Sequence, residues 1–306
     1  MTKTEEKTES NREKSFSKRF GKFHDKNYKK LLIIPAAIFL FCFVYMFIFY
    51  SANGDIMYKD ISLTGGTSVT IHEPVDILDL DLYLSENLES YHLREISDPL
   101  TRQQIAMIVE TTADASTSRE VIEEYLGHEL NEENSSFEFT GSALSQDFFR
   151  QLIVAVLLAF AFMALVVFIL FRTLIPSAAV VISAFANILM TLTVFNIAGF
   201  SMSTAGIVAF LMLIGYSVDT DILLTNRVLK REGSVNERFY SAFTTGMTMT
   251  LTSLLALSIA LLIVMPFSAV LTSIFMVLVI GLGFDLINTW VTNVSILKWY
   301  VEREEK

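Results

Sequence analysis

The feature that most constrains this chain is a series of apolar runs, each near the ~20 residues with which a helix spans a bilayer. Inside lipid, only helices or closed barrels satisfy every backbone N–H and C=O group, so these runs predict helices. We expect six, over residues 31–50, 151–171, 175–199, 202–224, 243–265 and 268–297. With 52% hydrophobic residues, the chain is predicted to be a polytopic α-helical membrane protein.

Basic residues predict the orientation of the chain. Residues 1–30 contain ten Lys and Arg, whereas residues 51–146 contain four against nineteen Asp and Glu. Because basic segments stay on the cytoplasmic side, we expect a cytoplasmic tail over 1–30 and an extracytoplasmic segment over 51–146. Six spans, with helices two to six in residues 147–300, then return the tail 301–306 to the cytoplasm. The localisation predicted is the cytoplasmic membrane, with both termini inside.

Charge and cysteine content limit the partners. The acidic segment 51–146 disfavours nucleic acid as a partner, because phosphate binding needs a basic surface. The basic tail 1–30 is expected to contact membrane lipid. Cys42 is the only cysteine, so the chain forms no internal disulfide. The basic linker 227–242 is either a helix along the cytoplasmic interface or a connecting loop.

No signature of an enzyme or of a cofactor stands out. His72, His92 and His128 have no metal-ligand spacing to one another or to a cysteine. The sequence contains no Walker loop, zinc motif or nucleophile elbow. We therefore expect no catalytic residues, no metal and no cofactor.

The segment between the first two apolar runs alternates strand-like and helix-like patterns. It predicts strands over 67–71, 91–97, 104–111 and 135–140, with helices over 75–88 and 117–128. The order β-α-β-β-α-β is typical of a small α+β ferredoxin-like domain. Thr117 and Glu120 have capping-box spacing, and Gly127 suits the end of that helix. Gly65 and Gly66 permit a positive φ and close backbone approach, or form an ordinary turn.

Three carboxylates lie inside the spans, Asp219, Asp221 and Asp285. A charge near the bilayer centre costs ~2.5 to 3.5 kcal/mol, so each should face another helix or water. A separation of two residues rotates side chains about 200° apart on a helix, so Asp219 and Asp221 cannot both face one partner. We expect Asp219 to point inward with Asp285 as its companion, and Asp221 to lie at the cytoplasmic interface.

These aspartates are candidates for a proton or ion relay, in which a carboxylate is loaded from one side and released to the other. A purely structural role, in which they hydrogen-bond helices together, stays open. Further polar candidates for contacts between helices are Asn187, Thr220, Asn226 and Arg227.

Four motifs in order carry a resemblance to a known family. They are "LTGGTSVTI", "FTGSALSQDFF", "GYSVDTDILLTNRVLK" and "FDLINTW". The chain resembles the archaeal-type SecF proteins of the SecD/SecF family, within the RND superfamily. The resemblance implies a six-helix half-transporter that pairs with SecD beside the SecYE channel and promotes the export of polypeptides. It also marks Thr64, Gly65 and Gly66 as a family motif of the extracytoplasmic domain.

The resemblance breaks at specific positions. The bacterial pattern GYS-[VL]-N-D-[ST] puts the family carboxylate at Thr220, whereas Asp219 matches the aspartate of the SecD pattern G-x-x-V-D-A-N. The arginine of the bacterial fifth helix has no counterpart, because residues 243–266 carry no charge. A proton relay in this chain would therefore need a different arrangement.

Two other functions fit part of the pattern. An RND-type exporter of lipid or small hydrophobic molecules would also use a six-helix half with intramembrane aspartates. An intramembrane aspartyl protease would share a proton between Asp219 and Asp285, and "GLGFD" (281–285) loosely resembles its GxGD motif.

Overall fold

The structure, a computed structural model, describes residues 31–97, 101, 103–230, 235–265 and 268–304. The predicted tail 1–30 lies outside the described residues. The elements in chain order are α1 Ile33–Asn53, α2 Ile61–Thr64, β1 Gly66–Ile71, α3 Ile77–Asn87, β2 Tyr91–Ser97, β3 Gln104–Thr111, α4 Ala115–Leu126, β4 Ser135–Thr140, α5 Ser142–Phe171, α6 Leu174–Ile197, α7 Thr204–Lys230, α8 Val235–Val264, α9 Ala269–Ile287, a π-helix Asn288–Asn293 and α10 Val294–Glu304.

Six helical spans among the described residues are long and apolar enough to cross a membrane, which confirms the predicted number. They are α1, α5, α6, α7, α8 and the continuous helix formed by α9, the π-helix and α10. The α5 helix begins at Ser142 rather than near residue 151. Hydropathy detects only the continuous apolar part of a helix, and the first turns of α5 are interrupted by Ser145, Gln146, Asp147 and Arg150.

The described residues of the predicted linker over 227–242 are helical. Helix α7 continues to Lys230 and α8 already begins at Val235. Arg227 donates hydrogen bonds to Ser241 Oγ at 3.0 Å and to Thr245 Oγ1 at 2.8 Å. Arg238 donates one to the Val228 carbonyl at 2.8 Å. The basic residues that suggested an interfacial segment thus join the adjoining ends of two long helices.

The four strands form one sheet in the order β2-β3-β1-β4, with every neighbouring pair antiparallel. This order confirms the ferredoxin-like α+β domain, which occupies residues 66–140. Its core is apolar, and Val69, Ile71, Leu80, Met107 and Ile122 are fully buried. The domain lies between the first and second of the six spans.

The start of α4 differs from the prediction. The helix begins at Ala115, and the Asp114 side chain accepts a hydrogen bond from Thr117 N at 3.0 Å. Thr117 is therefore the third residue of the helix and not its cap, because Asp114 is an equally good N-cap three residues earlier. Hydrogen bonds from Thr117 lower the pKa of the Asp114 carboxyl. Gly127 ends the helix at φ 73°, as predicted.

The glycine pair at the start of β1 makes the close backbone approach that the sequence allowed. Gly65 has φ 80° and Gly66 has φ 142°. A Cβ on Gly66 would lie 2.1 Å from the Thr111 carbonyl oxygen, so no other residue fits without a shift of the backbone. The preceding helix α2 was not predicted, and Asp60 caps it by accepting from Ser62 N at 2.9 Å.

Helix α7 lies at the centre of the bundle. It packs against α5, α6, α8 and α9, while α1 packs on α6 and on the π-helix. More than half of the α6 and α7 spans is buried inside the chain, whereas little of α5 or α8 is buried. The inner helices of the bundle are therefore α6 and α7.

A short joint connects the α+β domain to the bundle. Met202, in the turn between α6 and α7, donates from its N–H to the Tyr58 carbonyl at 2.7 Å and accepts from Asp60 N at 3.1 Å. Thr204 N, at the start of α7, donates to Ser62 Oγ at 2.9 Å. Burial in this joint raises the pKa of the Asp60 carboxyl. The first turn of α7 is thus bonded to the segment that leads into β1.

Candidate functional site

A cluster of buried polar side chains lies between α6, α7 and the sixth span. Asp221 and Asp285 are both 0% exposed. The cluster also contains Asn187, Ser217, Asn288, Thr289 and Asn293, each at most 1% exposed. Buried carboxylates in a membrane helix are rare and costly, so this cluster is the candidate functional site.

Asp285 is held by donors from two other helices. Its Oδ1 accepts from Ser217 Oγ at 2.6 Å and from Asn187 Nδ2 at 2.8 Å. Asn187 also donates to Ser217 Oγ at 2.6 Å, and Asn288 Nδ2 donates to Asn187 Oδ1 at 2.5 Å. These hydrogen bonds join α6, α7 and the sixth span around one carboxyl group.

Asp221 is held by two donors from the π-helix. Its Oδ1 accepts from Asn293 Nδ2 at 2.7 Å and from Thr289 Oγ1 at 2.9 Å. Thr289 Oγ1 also lies 3.2 Å from Asp285 Oδ1. One hydroxyl therefore stands between the two carboxyl groups.

Several oxygens in the cluster have no hydrogen-bond partner within the part of the chain that the structure describes. They are Asp221 Oδ2, Asp285 Oδ2 and Asn293 Oδ1, all of them buried. Among the described residues, only neutral side chains donate to the two carboxyl groups. Two ionised carboxylates in such a place repel each other and lose hydration. Chemically, the cluster is suited to take up a proton or another cation.

The π-helix shapes one side of the site. Insertion of a wider turn is uncommon and is often found at functional sites. Here it carries Asn288, Thr289 and Asn293, which bond to Asn187 and to the two aspartates. Sequence reasoning missed these three residues and Ser217. The available signal was a set of polar residues at helical spacing in the otherwise apolar sixth run.

The expected roles of Asp219 and Asp221 are exchanged. The expectation that they face different directions holds, but Asp221 is the buried residue and Asp219 is exposed. The inward face of α7 runs through Leu213, Ser217 and Leu224, and Asp221 lies in register with it. The prediction that Asp221 lies at the interface is therefore wrong, and it is Asp221, rather than Asp219, that shares a hydroxyl partner with Asp285.

The other predicted residues lie in varied places. Asn187 is at the centre of the cluster, while Thr220 is buried and donates to the Tyr216 carbonyl at 3.2 Å. Asn226 is exposed on α7. Arg227 joins α7 to α8. Thr64 ends α2, Gly65 follows it and Gly66 begins β1, so the three residues belong to the α+β domain and its entry rather than to the cluster. Thr64 Oγ1 donates to the Asp60 carbonyl at 3.1 Å.

Comparison with known proteins identifies the family. Residues 121–303 match the family model described as "Protein export membrane protein SecD/SecF, C-terminal". The chain is 37% identical to the protein-export membrane protein SecF of Methanocaldococcus jannaschii, over 90% of this chain and 96% of the relative. It is 36% identical to the SecF of Methanothermobacter thermautotrophicus, over 90% of this chain and 94% of that relative.

A solved structure shares the fold. The crystal structure of SecDF, a translocon-associated membrane protein from Thermus thermophilus, superposes with a TM-score of 0.67 at 17% identity. The match covers 90% of this chain and 38% of the longer SecDF chain. The multi-pass helical bundle, the inserted four-stranded domain and the SecF relatives all point to the same family. The chain belongs to the SecD/SecF family of protein-export membrane proteins, as a transport component rather than a known enzyme.

Proposed function

We propose that this chain is a SecF-type subunit that works with a SecD-type partner beside a SecYE-type channel to promote polypeptide export. We further propose that the Asp221–Asp285 pair couples export to a proton gradient. In this proposal the α+β domain is extracytoplasmic and both termini are cytoplasmic. The observation that carries the proposal is the fully buried carboxyl pair at the centre of the bundle.

The pair supports coupling because its charge state affects the packing of three helices. Loading with a proton removes charge from a site whose donors come from α6, α7 and the sixth span. Release restores the repulsion between the two carboxylates. Each state therefore favours a different separation of α7 from the sixth span.

The joint gives that movement a route to the α+β domain. Asp221 and Thr204 lie on the same helix, α7. Thr204 N is bonded to Ser62, and Met202 is bonded to Tyr58 and Asp60, immediately before β1. A shift of α7 along its axis would therefore move the base of the domain that is proposed to assist the emerging polypeptide.

The exposed face of α7 supports the presence of a partner in the membrane. Met212, Tyr216, Asp219 and Asn226 are all exposed on this helix. A carboxylate on a lipid-facing surface is costly, so a protein surface with a donor or a basic group is expected to cover it. A SecD-type half is the proposed occupant, since the structurally similar SecDF chain is much longer than this one.

Export into sealed inverted vesicles, with and without an imposed proton gradient, tests the coupling. Asp221→Asn and Asp285→Asn should each remove the acceleration by the gradient and leave basal export. Asp147→Asn, which alters an exposed aspartate at the start of α5, is the matched control and should behave like the wild type. Equal acceleration in all four proteins would contradict the proposed coupling.

Purification in mild detergent tests the partner. The wild type should recover a SecD-type protein, and Asp219→Leu should recover less of it, whereas Asp147→Leu should recover the normal amount. Recovery that is the same for all three would show that the Asp219 face is not the contact.

A further inference from the structure

We infer that Thr289 relays a single proton between Asp221 and Asp285, so that the two carboxyl groups and this hydroxyl form one proton-binding unit. The inference rests on the proposed coupling function for its role in export. Its chemistry, however, can be tested on the protein without export.

The number of hydroxyl hydrogens around the two carboxyl groups points to this unit. Ser217 Oγ accepts from Asn187, so its single hydrogen is given to Asp285. Thr289 also has a single hydroxyl hydrogen, yet its Oγ1 lies within hydrogen-bond distance of an oxygen of each aspartate, at 2.9 Å and 3.2 Å. With both aspartates ionised, one of these contacts would bring two lone pairs together.

One added proton satisfies both contacts. A protonated carboxyl on one aspartate donates to Thr289 Oγ1, and Thr289 donates to the carboxylate on the other. Transfer then breaks the carboxyl O–H bond, forms an O–H bond at Thr289, breaks the original Thr289 O–H bond and forms one at the second carboxylate. The hydroxyl is regenerated with its dipole reversed, and the net charge of the unit stays at one negative.

Among the described residues, no basic side chain bonds to the aspartate pair in place of this proton. Helices α1 and α6 carry no charged residue, and α9 carries only Asp285. On α7, Asp219 is exposed on another face and Arg227 bonds to α8. On α10, the buried Lys298 follows Asn293 by five residues. In the described part of α8, charged residues occur only in its first turns. Neutral hydroxyl and amide groups supply the hydrogen bonds to the pair.

The direction of the Thr289 hydroxyl makes it available for this role. In membrane helices, a threonine commonly donates to the carbonyl four residues earlier, as Thr191 does to Asn187 and Thr193 to Leu189. Thr289 instead directs its hydroxyl to the side chain of the residue four positions earlier, Asp285, and to Asp221. The hydroxyl is thereby free to reverse.

Infrared difference spectroscopy on the reconstituted chain with its partner, combined with the vesicle export assay, tests the inference. The wild type should show one buried protonated carboxyl per chain, and the band should change in both Asp221→Asn and Asp285→Asn. Thr289→Val should shift the band, because the carboxyl loses its hydroxyl partner, and should reduce gradient-dependent export by about tenfold or more. Thr289→Ser should keep both properties. Thr193→Val, which removes another buried hydroxyl outside the cluster, is the matched control.

The possible failures are distinguishable. If the aspartate variants lose gradient-dependent export while Thr289→Val keeps it with an unshifted band, the relay is wrong and the coupling function stands. If the wild type ignores the gradient but shows the expected bands, the relay stands and the coupling function fails. Removal of the band by Na⁺ at constant pH would show that a metal cation occupies the site and would overturn the inference. Where Thr289→Val does not accumulate, loss of the band or of export in Thr289→Ser would also overturn it.

Discussion

The α+β domain and the helical bundle have opposite interiors. The domain buries apolar side chains such as Leu80 and Met107 and keeps most of its acidic residues outside. The bundle exposes large apolar residues on α5 and α8 and buries amides, hydroxyls and two aspartates. In the domain, carboxylates such as Asp114 serve as helix caps. In the bundle, the two buried carboxylates are the candidate functional site.

The difference follows from the two solvents. In water, removal of apolar surface drives folding and fills the core with aliphatic side chains. In lipid this force is absent between helices, so small residues and hydrogen bonds hold them together. Where α7 meets α9, Leu213 occupies the place of a Cβ on Gly281. Amides and carboxylates are therefore tolerated at the centre of the bundle, whereas the buried polar side chains of the α+β domain are hydroxyls such as those of Thr67 and Ser118.

The largest effect is expected from Gly66→Val in the α+β domain. The side chain would meet the Thr111 carbonyl at a φ of 142°, and we expect the free energy of unfolding of the domain to fall by about 3 kcal/mol or more. Limited proteolysis of the whole protein would measure it. Gly127→Ala, also at positive φ but in open space, should cost about 1 kcal/mol. If Gly66→Val and Gly127→Ala resisted proteolysis equally well, the close backbone approach at Gly66 would be contradicted.

In the bundle, Gly246→Leu should be the most disruptive packing change. A Cβ at Gly246 would lie 2.4 Å from the Trp290 ring, beside the π-helix, and we expect a loss of about 2 kcal/mol. Thermal denaturation in detergent would show it. Gly215→Leu, on the open face of α7, should leave the isolated chain unchanged and weaken only the recovery of the partner. Destabilisation of the isolated chain by both variants would contradict the difference between these faces.

A smaller effect is expected at the joint between the two regions. Ser62→Ala removes the acceptor of Thr204 N and should cost about 1 kcal/mol. Hydrogen exchange at the start of α7 should become faster, and gradient-dependent export should decline without loss of the domain. Ser85→Ala, which alters an exposed serine on α3, should change neither property. Unchanged exchange at Thr204 in Ser62→Ala would show that the joint does not hold α7.

The smallest effect concerns pH and the α+β domain. Burial raises the pKa of Glu110. The folded state then binds the proton more tightly than the unfolded state, so this group makes the domain less stable as pH rises above about 4.3. Glu110→Gln should remove this slope and stabilise the domain at neutral pH, as measured by thermal unfolding across that range.

Asp114 provides the opposite control for the pH measurement. Its pKa is lowered by hydrogen bonds, so its contribution is present above the unfolded pKa and is lost as pH falls through the folded pKa. Asp114→Asn should therefore flatten the acid side of the curve only. If Glu110→Gln and Asp114→Asn changed the dependence of stability on pH in the same direction, the opposite contributions assigned to these two residues would be contradicted.

The sequence alone predicted the six helices and the β-α-β-β-α-β order of the domain, and it allowed, without deciding, the positive φ angles at Gly65 and Gly66. These features depend on local pattern, because apolar length, period-2 alternation and glycine pairs act over a few residues. Helix ends were less well predicted. Asp114 and Thr117 are both plausible caps, and only the backbone geometry selects one of them.

The candidate site was predicted only in part, because the sequence gives the types of the polar residues but not which face of each helix points inward. Composition showed that Asp219, Asp221 and Asp285 needed partners, and spacing showed that Asp219 and Asp221 face apart. Which of the two points inward depended on the rotation of α7 against α6 and the sixth span, and this rotation is set by the packing of whole helices. Thr289 between two carboxyl groups, and the π-helix that holds it there, likewise follow from contacts between residues 68 positions apart in the chain. Hydropathy and spacing along one segment do not contain such contacts, and the tertiary structure alone decided them.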